Sequence, residues 1–222
     1  MLTAYNGTPI TYDAIGNPLT YGGWNYTWQN GRQLASASVG SNTVSFKYNS
    51  DGIRTSKTVN GVTTEYFLNG SQIIAQKTGD DIMWFYYDHN GTRIALEYQG
   101  DMYYYVYDLQ GTVRYIADAD GNVCGGYTYD DWGKVLSAFN SGPHTVATAN
   151  PFRYRGYYYE SETGWYYLNS RYYSPEWGRF VNADGILDNR GVNTFNIFAY
   201  CGNNPINNSD AEGDFFGAAI GA

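Results

Sequence analysis

Cysteine is nearly missing from this chain: Cys124 and Cys201 are the only two in 222 residues. Two widely separated cysteines make no disulfide framework, and they read as small buried apolar side chains, with a single pairing left open. Histidine is as scarce, at two residues, His89 and His144. These four side chains show no zinc-ligand spacing, so no metal and no cofactor is expected. A Cys–His nucleophile pair has no supporting motif either. Positive charge is short: 13 Lys and Arg stand against 21 Asp and Glu, a formal net charge of −8. That balance argues against nucleic acid as a partner, because a basic face supplies most of such affinity. It argues equally against a charge-driven membrane surface contact. No apolar run is long enough to span a bilayer, and no signal peptide is visible. Before Pro151, no segment carries helical periodicity over ten residues.

What is present in quantity is tyrosine and glycine, 25 and 27 residues. Tyrosine suits half-buried pleated surfaces and glycine suits tight turns, a combination that predicts an all-β chain of hairpins. The residues repeat. An aromatic is followed three or four positions on by Gly at Tyr12…Gly16, Trp28…Gly31, Tyr48…Gly52, Tyr66…Gly70, Tyr87…Gly91, Tyr107…Gly111 and Tyr129…Gly133. Asp or Asn follows the aromatic in most copies: Asp13, Asn49, Asp88, Asp108 and Asp130. A second aromatic stands two residues earlier at Tyr26, Phe46, Phe85, Tyr105 and Tyr127, which puts both rings on one face of a strand. Between these turns lies a second set, with Gly22-Gly23, Gly40, Asn60-Gly61, Gly79, Gly100, Gly121 and Gly142. Asn60-Gly61 between Val59 and Val62 is a strong two-residue hairpin signal. Turns at alternating ends predict an antiparallel meander, one strand out and one back per repeat. Asp118-Ala119-Asp120-Gly121 looks like part of a calcium loop but lacks the later ligands, and reads as a hairpin turn.

The stretch from Pro151 to Asp210 does not repeat. It is the expected cap for a strip whose edges would otherwise expose unpaired backbone. Arg153, Arg155, Arg171 and Arg179 lie there among tyrosines. Bidentate pairing with Glu160, Glu162 and Glu176 is the favoured reading, with stacking on rings and anion binding as the others.

The Tyr-Asp-x-x-Gly copies resemble YD repeats. The run from Tyr154 to Gly185, with Gly178-Arg179-Phe180 and Asn182-Ala183-Asp184, followed by Ala199-Tyr200-Cys201-Gly202-Asn203-Asn204-Pro205, is similar to the repeat-associated core of Rhs proteins. That family includes Tc toxin C components, wall-associated bacterial proteins and teneurins. The resemblance implies a curved β-sheet strip, or partial shell, capped by an irregular β-rich core. It implies repeats over residues 1–145, the core as cap or plug over 146–213, and the start of a variable segment over 214–222. Seven repeats fall short of a complete shell, which implies either the C-terminal part of a longer chain or a truncated orphan.

In function, the resemblance implies a shell and plug that encapsulate a C-terminal toxin. The plug in many members is an intramolecular aspartic protease. The matching residues are Asp184 and Asp210, with Arg179 in support, and a cut near Gly213, Asp214 and Phe215. The family's Pro after each Asp is replaced by Gly185 and Ala211, and its Leu by Asp214. Paired carboxylates serve hydrolysis because one takes a proton while the other gives one; a purely structural plug is the alternative. Implied partners are the remainder of the parent Rhs chain and its toxin, with an immunity or delivery protein. Exposed strand edges also favour self-association. The implied location is secreted or at the bacterial cell surface. A second functional class stays open, a cell-wall or carbohydrate-binding module, because Gly164-Trp165-Tyr166-Tyr167 resembles the motif of wall-binding repeats.

Overall fold

The computed structural model describes residues 1–184, 196–210, 213 and 217–218. Among them, fourteen strands pair antiparallel in strict sequence order, from Thr11–Tyr12 to Val135–Asn140. The result is the expected meander, an open strip with an edge at each end. A short hairpin, Ala4–Tyr5 with Thr8–Pro9, precedes it.

Two kinds of turn build the strip, and each explains its sequence. The two-residue turns use positive φ, as at Asn60 and Gly61, φ 49° and 87°. The Asp and Asn turns are longer loops held by one side chain. Asp108 Oδ1 accepts the backbone N–H of Gln110 and Thr112, each at 3.0 Å. The Asp108 N–H donates to the Thr112 carbonyl, and Gly111 N–H donates back to Asp108. Asn49, Asp88 and Asp130 repeat this pattern. So does Asp118, whose loop is therefore a turn of the same design. The aromatic before the Asp has its own task. The hydroxyls of Tyr48, Tyr87, Tyr107 and Tyr129 reach the carbonyls of Leu34, Ile73, Arg93 and Val113 at 2.6–3.1 Å. Tyrosine rather than phenylalanine stands there because the phenol ties each loop to an earlier strand.

The strands alternate more cleanly than their sequences. In Asp81–Tyr87, Met83 and Phe85 face in while Trp84 and Tyr86 face out. In Asp101–Tyr107, Tyr103 and Tyr105 are buried and Tyr104 and Val106 exposed. Tyrosine occupies both faces, so residue type conceals a real period of two.

The cap lies on the strip's inner face. Its core is a four-stranded sheet, Tyr158–Glu160, Trp165–Leu168, Arg171–Ser174 and Arg179–Phe180. The earlier aromatic of each repeat turns out to be what receives it. Tyr26 meets Trp165 at 5.0 Å, Phe46 meets Tyr172 at 6.0 Å, and Phe85 meets Phe152 at 4.8 Å. Tyr105 and Tyr127 donate to Asn150 Oδ1 and the Ala147 carbonyl at 2.8 and 2.5 Å. Such ring pairs add ~0.5–1.5 kcal/mol each beyond the area they bury. Trp165, Tyr166 and Tyr167 are 4%, 0% and 4% exposed, so the wall-binding-like run is cap core, not an open platform.

Among the described glycines, Gly133, φ 87°, leaves the least room for a side chain. A Cβ there would stand 2.4 Å from Tyr154 Cδ1. Backbone strain and a ring clash act together, so Gly133→Ala is expected to lose about 3 kcal/mol. Urea unfolding measures it; a loss under about 1 kcal/mol would show that Tyr154 yields easily.

Candidate carboxylate site at the cap

Arg171 opens a cap strand just past the turn at Asn169 and Ser170, where Asn169 takes φ 58°. That strand is buried throughout, and Arg171 is 4% exposed. A guanidinium so placed needs anions and acceptors around it. Asp184 follows the strand Arg179–Phe180, and its N–H donates to the Ile197 carbonyl at 2.9 Å. Asp210 follows Asn208–Ser209 and is 2% exposed.

The fold brings all three together. Arg171 Nη1 lies 3.0 Å from Asp184 Oδ2, and Nη2 lies 3.6 Å from Asp210 Oδ2. The two aspartates, 26 positions apart in sequence, thus share one guanidinium. Arg171 Nε donates to the carbonyl of Gly213, while Gly213 N–H donates to Asp210 Oδ1 at 2.8 Å. The Arg171 guanidinium sits 3.6 Å from the centre of the Phe180 ring. Tyr157 donates to the Asp210 carbonyl at 2.5 Å, and Arg32 of the strip donates to the Ala183 carbonyl. The Gly213 backbone is thus held at both ends, its carbonyl by Arg171 and its N–H by Asp210, with Asp184 on the same guanidinium. That is an arrangement able to orient a peptide bond and stabilise charge on its oxygen.

Arg179 is placed differently. It reaches Asn196 Oδ1 at 3.4 Å and lies 5.0 Å from the Phe198 ring. Its described contacts brace the segment that supplies Ile197 to Asp184. Gly213 is in the site; Asp214 and Phe215 lie outside the described residues.

The expected pairing of the arginine cluster with glutamates is corrected. Glu160 pairs with Arg54 and Lys57, Glu162 with Lys57, and Glu176 with Lys134, all cations of the strip. The reason is that strip cations already occupy the glutamates, while Arg153 stacks on Tyr127 and Tyr159, and Arg155 donates to the Pro205 carbonyl and Gln110. The bridging role of Arg171 was missed. The available signal was an arginine inside a Tyr-rich, wholly buried strand, which must find carboxylates. Both cysteines are buried and free, and burial pushes the Cys201 thiol up to about 11. Among the described residues no cluster is suited to a metal, and no helix is long and apolar enough to cross a membrane.

An open YD-repeat strip closed on one face by such a cap defines a class of shell-forming proteins. The family model of the teneurin YD-shell matches residues 1–206, and the chain belongs to that family. It is 32% identical over 229 residues to the tRNA nuclease WapA of Bacillus subtilis strain 168, covering 100% of this chain and 10% of that one. It is 34% identical over 95 residues to the toxin protein Tse5 of Pseudomonas aeruginosa, 43% of this chain and 6% of that one. The fold matches the crystal structure of TcdB2-TccC3-Cdc42 with a TM-score of 0.77 at 21% identity, covering 91% of this chain and 11% of that chain. The chain thus spans about a tenth of the length of the WapA relative. It is a YD-shell piece of Rhs type, related to toxin-bearing proteins.

Proposed function

We propose that this chain is the end of an Rhs-type shell, with residues 1–145 as wall and 146–213 as plug. The shell encloses a C-terminal toxin that begins near residue 214, and the plug cuts the chain between Gly213 and Phe215. The observation that carries the cutting role is Arg171, which holds Asp184, Asp210 and the Gly213 carbonyl at once. In the proposed step one aspartate takes a proton from water as the oxygen adds to the peptide carbon. The other protonates the leaving nitrogen, and Arg171 stabilises the oxyanion. A toxin-bearing parent made by a bacterium and acting outside it fits a secreted or surface location, with an immunity or delivery protein as further partner.

Intact-mass measurement of the purified chain over time tests the cut. The expected result is an N-terminal product ending between residues 213 and 215, and Arg171→Met should leave the chain whole. A full-length mass under all conditions overturns cleavage and leaves the plug structural. Limited proteolysis of the parent chain tests enclosure, because an enclosed segment resists protease until the shell unfolds. Strand edges at both ends of the strip also favour self-pairing. Light scattering should show a dimer or larger, and a monomer at high concentration would refute it.

A further inference from the structure

Cap and strip do not close on each other everywhere. A cavity of about 270 Å³ stays open where the strands Arg54–Val59, Val62–Asn69 and Gln72–Thr78 face the segment 148–153 and the cap turn at Ser161. Its charges do not balance. Arg54 and Lys57 are matched by Glu160 and Glu162, two cations by two carboxylates. Arg153 also lines the cavity, and among the described residues no carboxylate pairs with it. Its Nε is buried without a hydrogen-bond partner. Its guanidinium lies 4.9 Å from the Tyr127 ring and 4.3 Å from the Tyr159 ring. Ring faces attract the cation but offer no lone pair to its in-plane N–H groups. In a chain with 21 acidic and 13 basic residues, an arginine left without a carboxylate is unexpected.

The neutral polar groups of the cavity are donors too. Gln76 Oε1 accepts the Tyr158 hydroxyl at 3.0 Å, which leaves the Gln76 amide to donate. Thr148 Oγ1 accepts from Asn140 at 2.9 Å and keeps its own proton. Ser161, exposed, adds a third donor. Glu162 is the one carboxylate among the described lining residues, and Lys57 holds it at 3.1 Å. Val59, Val62 and Pro151 form an apolar wall beside these donors.

A surplus of donors and of one positive charge calls for an acceptor with one negative charge. A planar carboxylate fits the arginine fork. A doubly charged phosphate would leave a negative charge beside Glu162. We propose that this cavity binds a monocarboxylate on a short apolar stem, with Arg153 holding the carboxylate. The volume lies just below the usual range of ligand pockets, about 300–1,000 Å³, which keeps the stem short. None of the lining residues belongs to the Arg171–Asp184–Asp210 site, so the proposal stands whether or not the chain cuts itself.

Two sources share this chemistry, a free short-chain acid and the C-terminal carboxylate of a peptide. Butyrate represents the first and N-acetylvaline the second. The intact chain is titrated with each by calorimetry, at two temperatures and constant ionic strength. The expected result is saturable binding of at least one acid, with Kd near or below about 1 mM. The tighter of the two names the source. Butyramide and N-acetylvalinamide, alike in shape but uncharged, should bind at least tenfold more weakly. Arg153→Met should weaken binding of the acids at least tenfold, with circular dichroism confirming the fold. Ser161→Glu should do the same and serves if Arg153→Met does not fold, because Ser161 is exposed and the new carboxylate repels the ligand. Lys47→Met, at an exposed site outside the cavity, should bind as the parent does. No saturable binding of either acid overturns the proposal, as does equal binding of the amides or unaltered binding in Arg153→Met or Ser161→Glu. Inorganic phosphate binding more tightly than both acids overturns it in favour of a dianion site.

Discussion

Glu160→Leu should destabilise the protein by about 3–5 kcal/mol, the cost of leaving buried cations without their anion. Arg54 is 0% and Glu160 1% exposed. Arg54 Nη1 donates to Glu160 Oε1, and Lys57 Nζ lies 3.0 Å from Oε2. Four rings surround the guanidinium, those of Tyr167, Tyr158, Tyr66 and Phe46, at 4.2, 4.7, 5.0 and 5.3 Å. This cluster is where strip and cap are joined by charge rather than by ring contact. In urea, at a slope of about 2 kcal/mol/M, the midpoint should fall by about 2 M. Arg54→Met combined with Glu160→Leu should recover most of the loss, because a matched apolar pair needs no desolvated charge. A single-variant loss under about 1 kcal/mol would show that water reaches the cluster. The cluster also sets a pH dependence. Burial alone would raise the Glu160 carboxyl, but Arg54 and Lys57 outweigh it and hold it below the ordinary range. A lowered folded pKa gives stability that is complete above the unfolded value of about 4.3. It is lost as pH falls from there through the lower folded value. The Glu160→Leu variant should lack that acid-side loss, which urea midpoints across the range would show.

The strip was legible because its chemistry is local. A turn needing positive φ asks for Gly or Asn, and a loop that staples its own backbone asks for Asp. Both recur at fixed offsets along one segment, so sequence alone places them. The inner aromatics Tyr26, Phe46, Phe85, Tyr105 and Tyr127 were legible as one face, but not as the seat of the cap. The cap's arrangement depends on contacts between residues far apart, such as Arg54 with Glu160, which carry no spacing rule. Arg171 shows the same limit. The family pattern marks Asp184 and Asp210, yet the side chain joining them is an arginine that sequence reasoning assigned to glutamates. Only the layering of strip on cap shows that those glutamates are already taken.

If the plug cuts the chain as proposed, Asp184→Asn and Asp210→Asn should each slow the cut at least about 10³-fold, since removing one member of a catalytic unit disables the whole. Each variant keeps the shape of the side chain. Asn at 210 still offers an oxygen to Gly213 N–H, now accepted at 2.8 Å by Asp210 Oδ1. A fold that survives and a chain that stays whole would then separate chemistry from structure. The sequence departures set the expected rate of the parent. A proline after each aspartate would fix φ at that position; the sequence has Gly185 and Ala211 instead. Asp214 stands where the family has Leu, so the residue after Gly213 in sequence carries a negative charge instead of an apolar side chain. Two changes follow in opposite directions. Asp214→Leu removes that charge and should speed the cut, whereas Arg171→Lys keeps a cation but loses the fork that spans both aspartates, and should slow it. Release of the C-terminal piece, followed by intact mass, reads all four variants on one scale. If Asp214→Leu remains uncut together with the parent chain, the carboxylates serve only to bind Arg171 and close the plug.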